Sequence, residues 1–461
     1  MEITTEHERK LDAPGDFELP PLGGAPLESR VFTSVYHDTA DGSLARAGIT
    51  LRRRIEHGRS VWQLKLPSAD ARLELEQPGG PAHPPDELAR LLVAHLRRGP
   101  VAPVAELRTR RRGELVSRRG ATAEVTVDEV AVMDRLRVAD RFVEVEIELR
   151  SGDPKRLEEL VGEVAGAGAR PTDGTPKLFR ALGLESRDGR RPDAPLEALR
   201  ALLRDQLREI LAHDPGTRLG TDPESLHDMR VGVRRSRALL RAGRALSGDD
   251  LQPLSDELAW LGEALGSIRD LDVLLERLRG QAEKLDPPDR VAAGRLLRTL
   301  ERQRASARRA LLKTLDGERY LRLLDQFERT VDELQPSGDD VGLEKLAEKQ
   351  LRKLRRAVRA AGDDPADEEL HELRKLGKRT RYVYELAGGG KVVKRAKALQ
   401  DVLGSHQDAV VAEDRLRVLA ESAPPAQALA AGRLIEGERT RRAEARAAWP
   451  EAWRRLERAA R

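Results

Sequence analysis

The spacing of apolar residues changes once along this chain, and that change constrains the fold more than any other feature. Up to about residue 180, apolar and polar residues alternate in short runs, as in "ATAEVTVDEV" (121–130) and "RFVEVEIELR" (141–150). Alternation is typical of β-strands, whose successive side chains point to opposite faces. From Pro195 onward, apolar residues recur every three or four positions, as in amphipathic helices. The pattern predicts a strand-rich part followed by a helical part.

A Pro- and Arg-rich segment, "SRDGRRPDAP" (186–195), separates the two patterns. With 461 residues the chain is too long for one ordinary hydrophobic core. We predict an α+β domain of antiparallel strands over 1–185, a linker over 186–195, and an all-α domain over 196–461. Helical stretches near 85–98 and 153–168 interrupt the predicted strands.

Composition narrows the class of protein. The chain has no cysteine, which excludes disulfides, a thiolate nucleophile and cysteine-ligated metals. The sequence shows no apolar leader and no window typical of a membrane span, so we expect a cytoplasmic protein without a membrane partner. Because 83 Lys and Arg nearly balance 79 Asp and Glu, the arrangement of charge matters more than its sum. Arginine is especially suited to binding phosphate through several donors.

Several predicted strands carry charged residues along one face. In "ITTEHERKL" (3–11), for example, Glu6, Glu8 and Lys10 share a face. The same alternation groups Arg52 with Arg54, Gln63 with Lys65, Arg72 with Glu74 and Glu76, Arg108 with Arg110, and Glu144 with Glu146 and Glu148.

For a single strand, the ordinary explanation of such a face is contact with solvent. Like charges on neighbouring strand positions repel unless opposite charge lies between them, and a closed barrel with a charged interior would provide that setting. Stacked glutamates favour a divalent metal, and clustered Arg and Lys favour phosphate oxygens. A metal-bound polyphosphate would satisfy both sets.

Six motifs in this part of the chain resemble, in order, those of the CYTH family, the triphosphate tunnel metalloenzymes. "EHERK" matches ExExK, and "VYHDTADGSLARAGITLRRR" (35–54) is similar to the segment YxDTxxxxLxxxGxxLRxR. "WQLKLP", "RLELE", "LRTRR" and "VEVEIELRSGD" (143–153) follow in the family's order. The segment "GTPKLFRALG" (174–183) keeps Lys177, whereas Pro176 replaces a hydroxyl or small residue of the family's Ser-x-Ser-Lys type segment.

The CYTH resemblance implies an eight-stranded antiparallel β-barrel tunnel that binds a triphosphate with Mg²⁺ or Mn²⁺. Members hydrolyse inorganic triphosphate or thiamine triphosphate, or cyclise ATP. Carried over residue by residue, it assigns catalysis to Glu6, Glu8, Lys10 and Lys65; phosphate binding to Arg52, Arg54, Arg72, Arg108, Arg110 and Lys177; and metal binding to Glu6, Glu8, Asp128, Glu144, Glu146 and Glu148. Which carboxylate serves as the base stays open.

The helical part contains an internal repeat of basic residues. "HDMRVGVRRSRALLR" begins at His227 and "HELRKLGKRTRYVYE" begins at His371, and both contain HxxRxxx[RK]RxR. Steps of three and four place the repeated residues on one helix face. The two basic stripes are His227, Arg230, Arg234 and Arg237, and His371, Arg374, Lys378 and Arg381.

A second repeated motif, Leu-Gly-Ser-x-x-Asp, follows each stripe and ends at Asp270 and Asp408. These carboxylates are candidates to orient a stripe residue or to cap a turn. A salt-bridged helix surface is the alternative in a chain with 35% charged residues.

The region from about 195 to 461 resembles the CHAD family, the conserved histidine α-helical domain. The resemblance implies two helical-bundle repeats around a basic pore or groove that binds inorganic polyphosphate through the two stripes. A polyanion without bases needs cations but no aromatic platforms, and the scarcity of aromatic residues argues against single-stranded nucleic acid. Non-specific binding of duplexes stays open.

The sequence therefore predicts a metal-dependent hydrolase of inorganic triphosphate joined to a polyphosphate-binding domain, with attachment to polyphosphate granules as one role. Two alternatives stay open, a polyphosphate-binding scaffold without catalysis and an adenylate cyclase. The sequence leaves open the metal, the phosphate chain length and the oligomeric state.

Overall fold

The computed structural model divides into two compact units, Met1–Gly189 and Arg190–Arg461. It describes residues 1–68, 71–97, 99–172, 194–337 and 342–460. The finer boundaries at 185 and 196 stay predictions.

The first unit is built on one antiparallel sheet. Its strands in the described residues are β1 (Glu2–Glu6), β2 (Glu8–Ala13), β3 (Ala25–Asp38), β4 (Thr50–Glu56), β5 (Arg59–Ser68), β6 (Ala71–Pro78), β7 (Ala102–Arg118), β8 (Ala121–Asp134), β9 (Arg137–Ser151) and β10 (Arg170–Pro171). They lie in the order β1-β6-β5-β4-β3-β7-β8-β9-β2-β10. The predicted antiparallel architecture is confirmed.

The N-terminal stretch connects the two ends of this sheet. Only His7 separates β1 from β2, yet β1 pairs with β6 while β2 pairs with β9. In the described part of the chain, no ladder joins the end strands β1 and β10, so hydrogen bonding does not close the sheet. The resemblance implies eight strands, whereas the described residues form ten. The N-terminal stretch is divided at His7 into β1 and β2, and the two-residue β10 is the other additional strand.

Apolar residues of this sheet's outer face pack against a helix. The unit also contains α1 (Ser43–Arg46), α2 (Asp86–Leu91), α3 (Val93–Leu96) and α4 (Leu157–Gly166). Val125, Val145 and Ile147 form a buried core with Leu157 and Leu160 of α4. Burial of one face of the alternating strands leaves the other face, which carries the charges, on the inside of the sheet.

The second unit is helical, as predicted. In its described residues the helices are α5 (Pro195–Leu219), α6 (Pro223–Gly243), α7 (Gln252–Ala282), α8 (Pro287–Leu315), α9 (Glu318–Asp332), α10 (Leu343–Ala361), α11 (Asp367–Leu386), α12 (Gly390–Glu421) and α13 (Pro425–Ala459). Among these described residues, Ser247 and Pro336 form one isolated antiparallel β-bridge. The two bundle repeats stay a prediction.

The helices that carry the stripes are fixed at their starts and along their apolar faces. Asp222 accepts a hydrogen bond from the backbone N–H of Glu224, which caps α6. On α11, Leu370 and Leu373 join a core with Trp449 and Trp453 of α13. The basic faces therefore lie on helices whose orientation is set by buried contacts. Searched along the described residues, no helix is both long and apolar enough to cross a membrane.

Candidate functional site

A charged cavity of about 280 Å³ lies against the inner face of the sheet. Its walls carry cations and carboxylates in similar number. The cations are Lys10, Arg30, Arg52, Arg54, Lys65, Arg72, Arg111 and Arg150, and the carboxylates are Glu2, Glu6, Glu8, Glu74, Glu76, Glu146 and Glu148. Such a lining suits a ligand that contains both anionic and cationic parts.

Strand register produces this mixture of charge. Glu6 on β1 lies opposite Arg72 on β6, and Lys65 on β5 lies opposite Glu74. At the other end of the N-terminal stretch, Lys10 lies opposite Glu146. Opposite charges thus face one another across neighbouring strands, which allows them to be packed side by side inside the sheet.

Lys10 is held by three carboxylates. Its Nζ lies 2.7 Å from Glu146 Oε1, 3.2 Å from Glu144 Oε1 and 3.7 Å from Glu8 Oε1. Burial alone would lower the pKa of Lys10, but these carboxylates outweigh burial and raise it well above its ordinary value. Lys10 is therefore a fixed positive charge in the wall.

The carboxylates around Lys65 are crowded. Lys65 Nζ lies 2.5 Å from Glu6 Oε2 and 3.5 Å from Glu74 Oε1. Burial, followed by the hydrogen bond with Glu74, raises the pKa of Glu6. Burial also raises the pKa of Glu148 to about 7, with Arg150 acting against burial and Glu6 adding to it. Raised carboxyl pKa values mean that further positive charge in this region would be stabilised.

Arg111 joins three neighbouring strands, β7, β8 and β9. It donates from Nε to Asp128 Oδ1 at 2.7 Å and from Nη2 to Asp128 Oδ2 at 2.6 Å, and it also contacts Glu146. Its guanidinium carbon and that of Arg54 lie 5.6 and 4.3 Å from the centre of the Phe32 ring. The contacts with Phe32 and with buried Asp128 fix the direction of Arg111.

Carboxylate oxygens of the cavity are available to a metal ion. Glu8 Oε1 and Glu74 Oε1 are buried and accept no hydrogen bond from the described residues. Hard carboxylate oxygens of this kind are the ligands that Mg²⁺ and Mn²⁺ prefer. Within the same described residues, no three His, Asp or Glu side chains converge as a ready-made metal group. The chemistry fits a divalent ion, and each carboxylate near Lys10 and Lys65 is shared with a lysine.

In the helical unit, the two basic stripes face each other where α6 packs against α11. The Nε atoms of Arg234 and Arg237 on α6, and of Arg374 and Arg381 on α11, are buried and donate no hydrogen bond to the described residues. Buried donors without partners are costly, so these groups are suited to a ligand rich in acceptors. His371 lies beside the second motif, with its Nδ1 2.8 Å from Gln407 Oε1.

Lys378 lies at the centre of this basic cluster. Burial, followed by the charges of the arginines around it, lowers its pKa to about 7. These arginines are Arg374, Arg234, Arg230 and Arg381. Their combined effect shows that the α6 and α11 stripes form one cluster rather than two separate faces.

Comparison with known proteins accounts for both parts of the chain. The sequence profile of the CYTH domain matches residues 4–170, and that of the CHAD domain matches residues 201–417. The chain belongs to the CYTH–CHAD proteins. Its first unit is the CYTH domain and its second unit the CHAD domain.

Relatives of this CYTH–CHAD protein include one that matches both domains. The uncharacterized protein Rv2226 of Mycobacterium tuberculosis is 32% identical over 456 residues, which cover 89% of this chain and 88% of that protein. Among solved structures, PptA from Streptomyces chartreusis is 26% identical with a TM-score of 0.50, covering 56% of this chain and 99% of that one. The CHAD domain from the plant Ricinus communis is 28% identical with a TM-score of 0.49, covering 59% and 95%.

The structure brings most of the residues predicted for the CYTH domain to one cavity. Those on its wall are Glu6, Glu8, Lys10, Arg52, Arg54, Lys65, Arg72, Glu146 and Glu148. Asp128 and Glu144 lie outside this lining, and they hold Arg111 and Lys10 instead. Both are almost fully buried, so their positions favour support of the wall. Lys177 and Pro176 lie outside the described residues.

Arg108 and Arg110 do not line the cavity to which the prediction assigned them. They lie on the outer face of β7, beside Val31 and Phe142, while Arg111 reaches the inner cavity. The run "RTRRR" (108–112) offers a basic residue on either face, so charge alone does not fix the register. The nearby inward residues Leu107 and Thr109 are buried, and alternation from them would have identified Arg111.

Sequence reasoning also missed polar residues that hold the arginines. Arg52 donates from Nε to Gln63 Oε1 at 2.7 Å and from Nη1 to the Tyr36 hydroxyl at 3.3 Å. Gln63 lies opposite Arg52 in the β4–β5 ladder, and Tyr36 lies opposite it in the β3–β4 ladder. Tyr36 stands in the segment that resembles YxDT, but β3 was absent from the predicted strands, so its contact with Arg52 was not predicted.

Proposed function

We propose that the CYTH domain hydrolyses short linear triphosphates, inorganic triphosphate above all, with Mg²⁺ or Mn²⁺. The observation that supports this most is the mixed charge of the 280 Å³ cavity, where cations and carboxylates lie side by side on neighbouring strands. Members of the CYTH family are triphosphatases and cyclases and generally depend on metal. Phosphoryl transfer requires chiefly positioning and neutralisation of charge, which such a cavity supplies.

The chain's own residues divide into two roles. Arg52, Arg54, Lys65, Arg72 and Arg111 would bind the phosphate oxygens, since their ammonium and guanidinium groups line the cavity.

Glu6, Glu8, Glu146 and Glu148 would hold the divalent ion at the carboxylate side of the cavity. An ion held there supplies neutralisation of phosphate charge and an activated water. Lys10 would keep Glu8 and Glu146 in place through its contacts with both.

A second candidate function is binding without turnover. It is favoured by the pairing of the carboxylates with Lys10 and Lys65, and by the lack of a converged group of three metal ligands in the described residues. In this function the cavity would hold a short phosphate chain and release it unchanged.

Phosphate release distinguishes these functions. Purified full-length protein is incubated with tripolyphosphate, ATP or thiamine triphosphate, with Mg²⁺, Mn²⁺ or chelator. Hydrolysis predicts metal-dependent release with tripolyphosphate preferred, and cyclic AMP formed from ATP would indicate a cyclase. Binding of tripolyphosphate without release from any substrate would establish the second candidate.

We also propose that the CHAD domain binds inorganic polyphosphate along the cluster between α6 and α11. The buried guanidinium donors of Arg234, Arg237, Arg374 and Arg381 support this, because phosphate oxygens would satisfy them. An Arg230→Ala/Arg374→Ala variant should lose affinity for polyphosphate of defined length in a fluorescence titration. Unchanged affinity would contradict this part of the proposal.

A further inference from the structure

The repeated motif Leu-Gly-Ser-x-x-Asp lies directly behind the basic stripes. Arg230 Nη1 lies 3.0 Å from Asp270 Oδ1, so the carboxylate of the motif on α7 holds the first arginine of the α6 stripe. In the second repeat, burial lowers the pKa of Arg374, and Asp408 is the strongest influence in the opposite direction. Asp270 thus pairs directly with Arg230 in the first repeat, and the equivalent Asp408 attracts Arg374 through its charge in the second.

The glycine of the motif lies beside the stripe arginine in both repeats. A Cβ atom added at Gly266 would lie 3.5 Å from Arg230 Nη2, and one added at Gly404 would lie 3.5 Å from Arg374 Nε. Each guanidinium thus lies against the backbone of the helix behind it. The aspartate of the motif lies one turn further along the same helix.

In the second repeat, a buried network fixes the segment that carries Asp408. Arg277 on α7 donates from Nη2 to the backbone oxygen of Asp408 at 3.0 Å. Its Nε lies 2.9 Å from Oε1 of Glu438, which is fully buried and also accepts from Gln281 Nε2 at 2.7 Å. Such a network restricts movement of α12 behind the stripe.

We propose that Asp270 is a positioning residue that aims Arg230 at a bound polyphosphate chain through their ion pair, and that Asp408, at the equivalent place in the second repeat, directs Arg374 through its charge. This inference rests on the proposed polyphosphate binding. The two arginines occupy equivalent places in the repeat, so they would grip the chain at two points in the groove between α6 and α11. Each aspartate leaves other guanidinium nitrogens available, and Arg374 Nε has no hydrogen-bond partner in the described residues.

Positioning and net charge predict opposite changes in polyphosphate affinity when one of these carboxylates is removed. Removing a carboxylate from a basic groove should strengthen attraction for a polyanion if only the net charge matters. If the carboxylate positions its arginine, then Asp270→Asn and Asp408→Asn should each weaken polyphosphate affinity, by about fivefold. The slope of log affinity against log salt should fall by about one, because one phosphate contact is lost.

The matched control variants each remove one carboxylate from the same helices, α7 and α12, at a position outside the repeated motif. Glu276 on α7 and Asp414 on α12 are exposed, and neither forms an ion pair with another described residue. Glu276→Gln and Asp414→Asn should bind polyphosphate as tightly as wild type or slightly more tightly. Thermal unfolding of all four variants shows whether the fold is intact.

Three outcomes separate the possibilities. Weaker binding with a reduced salt slope, at an unchanged unfolding temperature, would support positioning by Asp270 and Asp408. Unchanged or tighter binding in both Asn variants would overturn it, while loss of binding in Arg230→Ala/Arg374→Ala would leave the proposed binding function standing. If Asn substitution lowers the unfolding temperature, the Asp270→Glu variant decides whether positioning or loss of fold weakens binding. Because Glu keeps the carboxylate, positioning predicts that Asp270→Glu recovers part of the affinity lost in Asp270→Asn and has a wild-type salt slope. Failure to recover would overturn the proposal.

Discussion

Arg110 and Arg111 are neighbours in the sequence of the CYTH domain and lie on opposite faces of β7. Arg111→Lys keeps the positive charge but cannot contact Asp128 and Glu146 through several donors at once. We expect it to raise the KM for tripolyphosphate about tenfold, whereas Arg110→Lys should leave KM unchanged. Steady-state phosphate release measures both. Equal effects of the two substitutions would contradict the placement of Arg111 in the binding wall.

Lys378 gives the CHAD domain a pH dependence. Its pKa of about 7 in the free protein should rise when a polyanion approaches, so binding takes up a proton above pH 7. Polyphosphate affinity should therefore be nearly constant below pH 7 and fall as the pH rises to about 8.5, by up to tenfold per unit.

Calorimetric titration in buffers of different ionisation enthalpy measures this proton uptake directly. Lys378→Met removes the titrating amine and should flatten the pH profile between 7 and 8.5. A profile that is the same in wild type and Lys378→Met would contradict the role of Lys378.

At the scale of single elements, the start of α1 depends on a buried carboxylate. Asp38 is fully buried and accepts hydrogen bonds from the backbone N–H groups of Thr39, Leu44 and Ala45, at 2.7, 2.9 and 2.9 Å. Asp38→Ala leaves these donors buried without a partner. We expect a loss of about 3 kcal/mol in the free energy of unfolding of the CYTH domain.

Urea unfolding of the full chain measures this loss in the transition of the sheet unit. Asp16→Ala removes an exposed carboxylate and serves as the control, with an expected change of less than about 0.5 kcal/mol. If both substitutions had the same small effect, the capping role of Asp38 would be wrong.

The elements that were predicted from sequence are those with a strong period. β4 to β9 show clean alternation, and α6 and α11 show apolar residues every three or four positions, so their type follows from the sequence. β3 lacks that signal because the side chains of its first half, "APLESRV" (25–31), are mostly exposed. Its pairing with β4 and β7 comes from the rest of the sheet.

The alternation of apolar and polar residues predicts which charged side chains share a strand face, and this part of the candidate site was predictable. Glu6, Glu8 and Lys10 lie where the alternation of the first strand puts them. Arg111 was not predictable from charge, because three consecutive arginines leave the choice of face to register. The burial of Asp128 and Glu144 beneath Arg111 and Lys10 depends on neighbouring strands, which the local pattern does not reveal.

At the scale of the whole molecule, the two domains carry separate charged sites on separate compact units. Substitutions in one site should therefore leave the other site's function intact. In the full chain, Glu6→Gln/Glu8→Gln should keep wild-type affinity for long polyphosphate, because the stripes on α6 and α11 are unchanged. A fluorescence titration of both proteins measures this, and loss of affinity in the Glu6→Gln/Glu8→Gln variant would show that the sites are not independent.

The central claim is that the carboxylates of the CYTH cavity support metal-dependent hydrolysis. The most direct test is phosphate release from tripolyphosphate with Mg²⁺ or Mn²⁺, using wild type, Glu6→Gln/Glu8→Gln and Arg230→Ala/Arg374→Ala, each as the full chain. We predict metal-dependent release by wild type and by the arginine variant, and a loss of at least about 100-fold in the glutamine variant. Absence of metal-dependent release by wild type, or equal release by wild type and the glutamine variant, would contradict the claim.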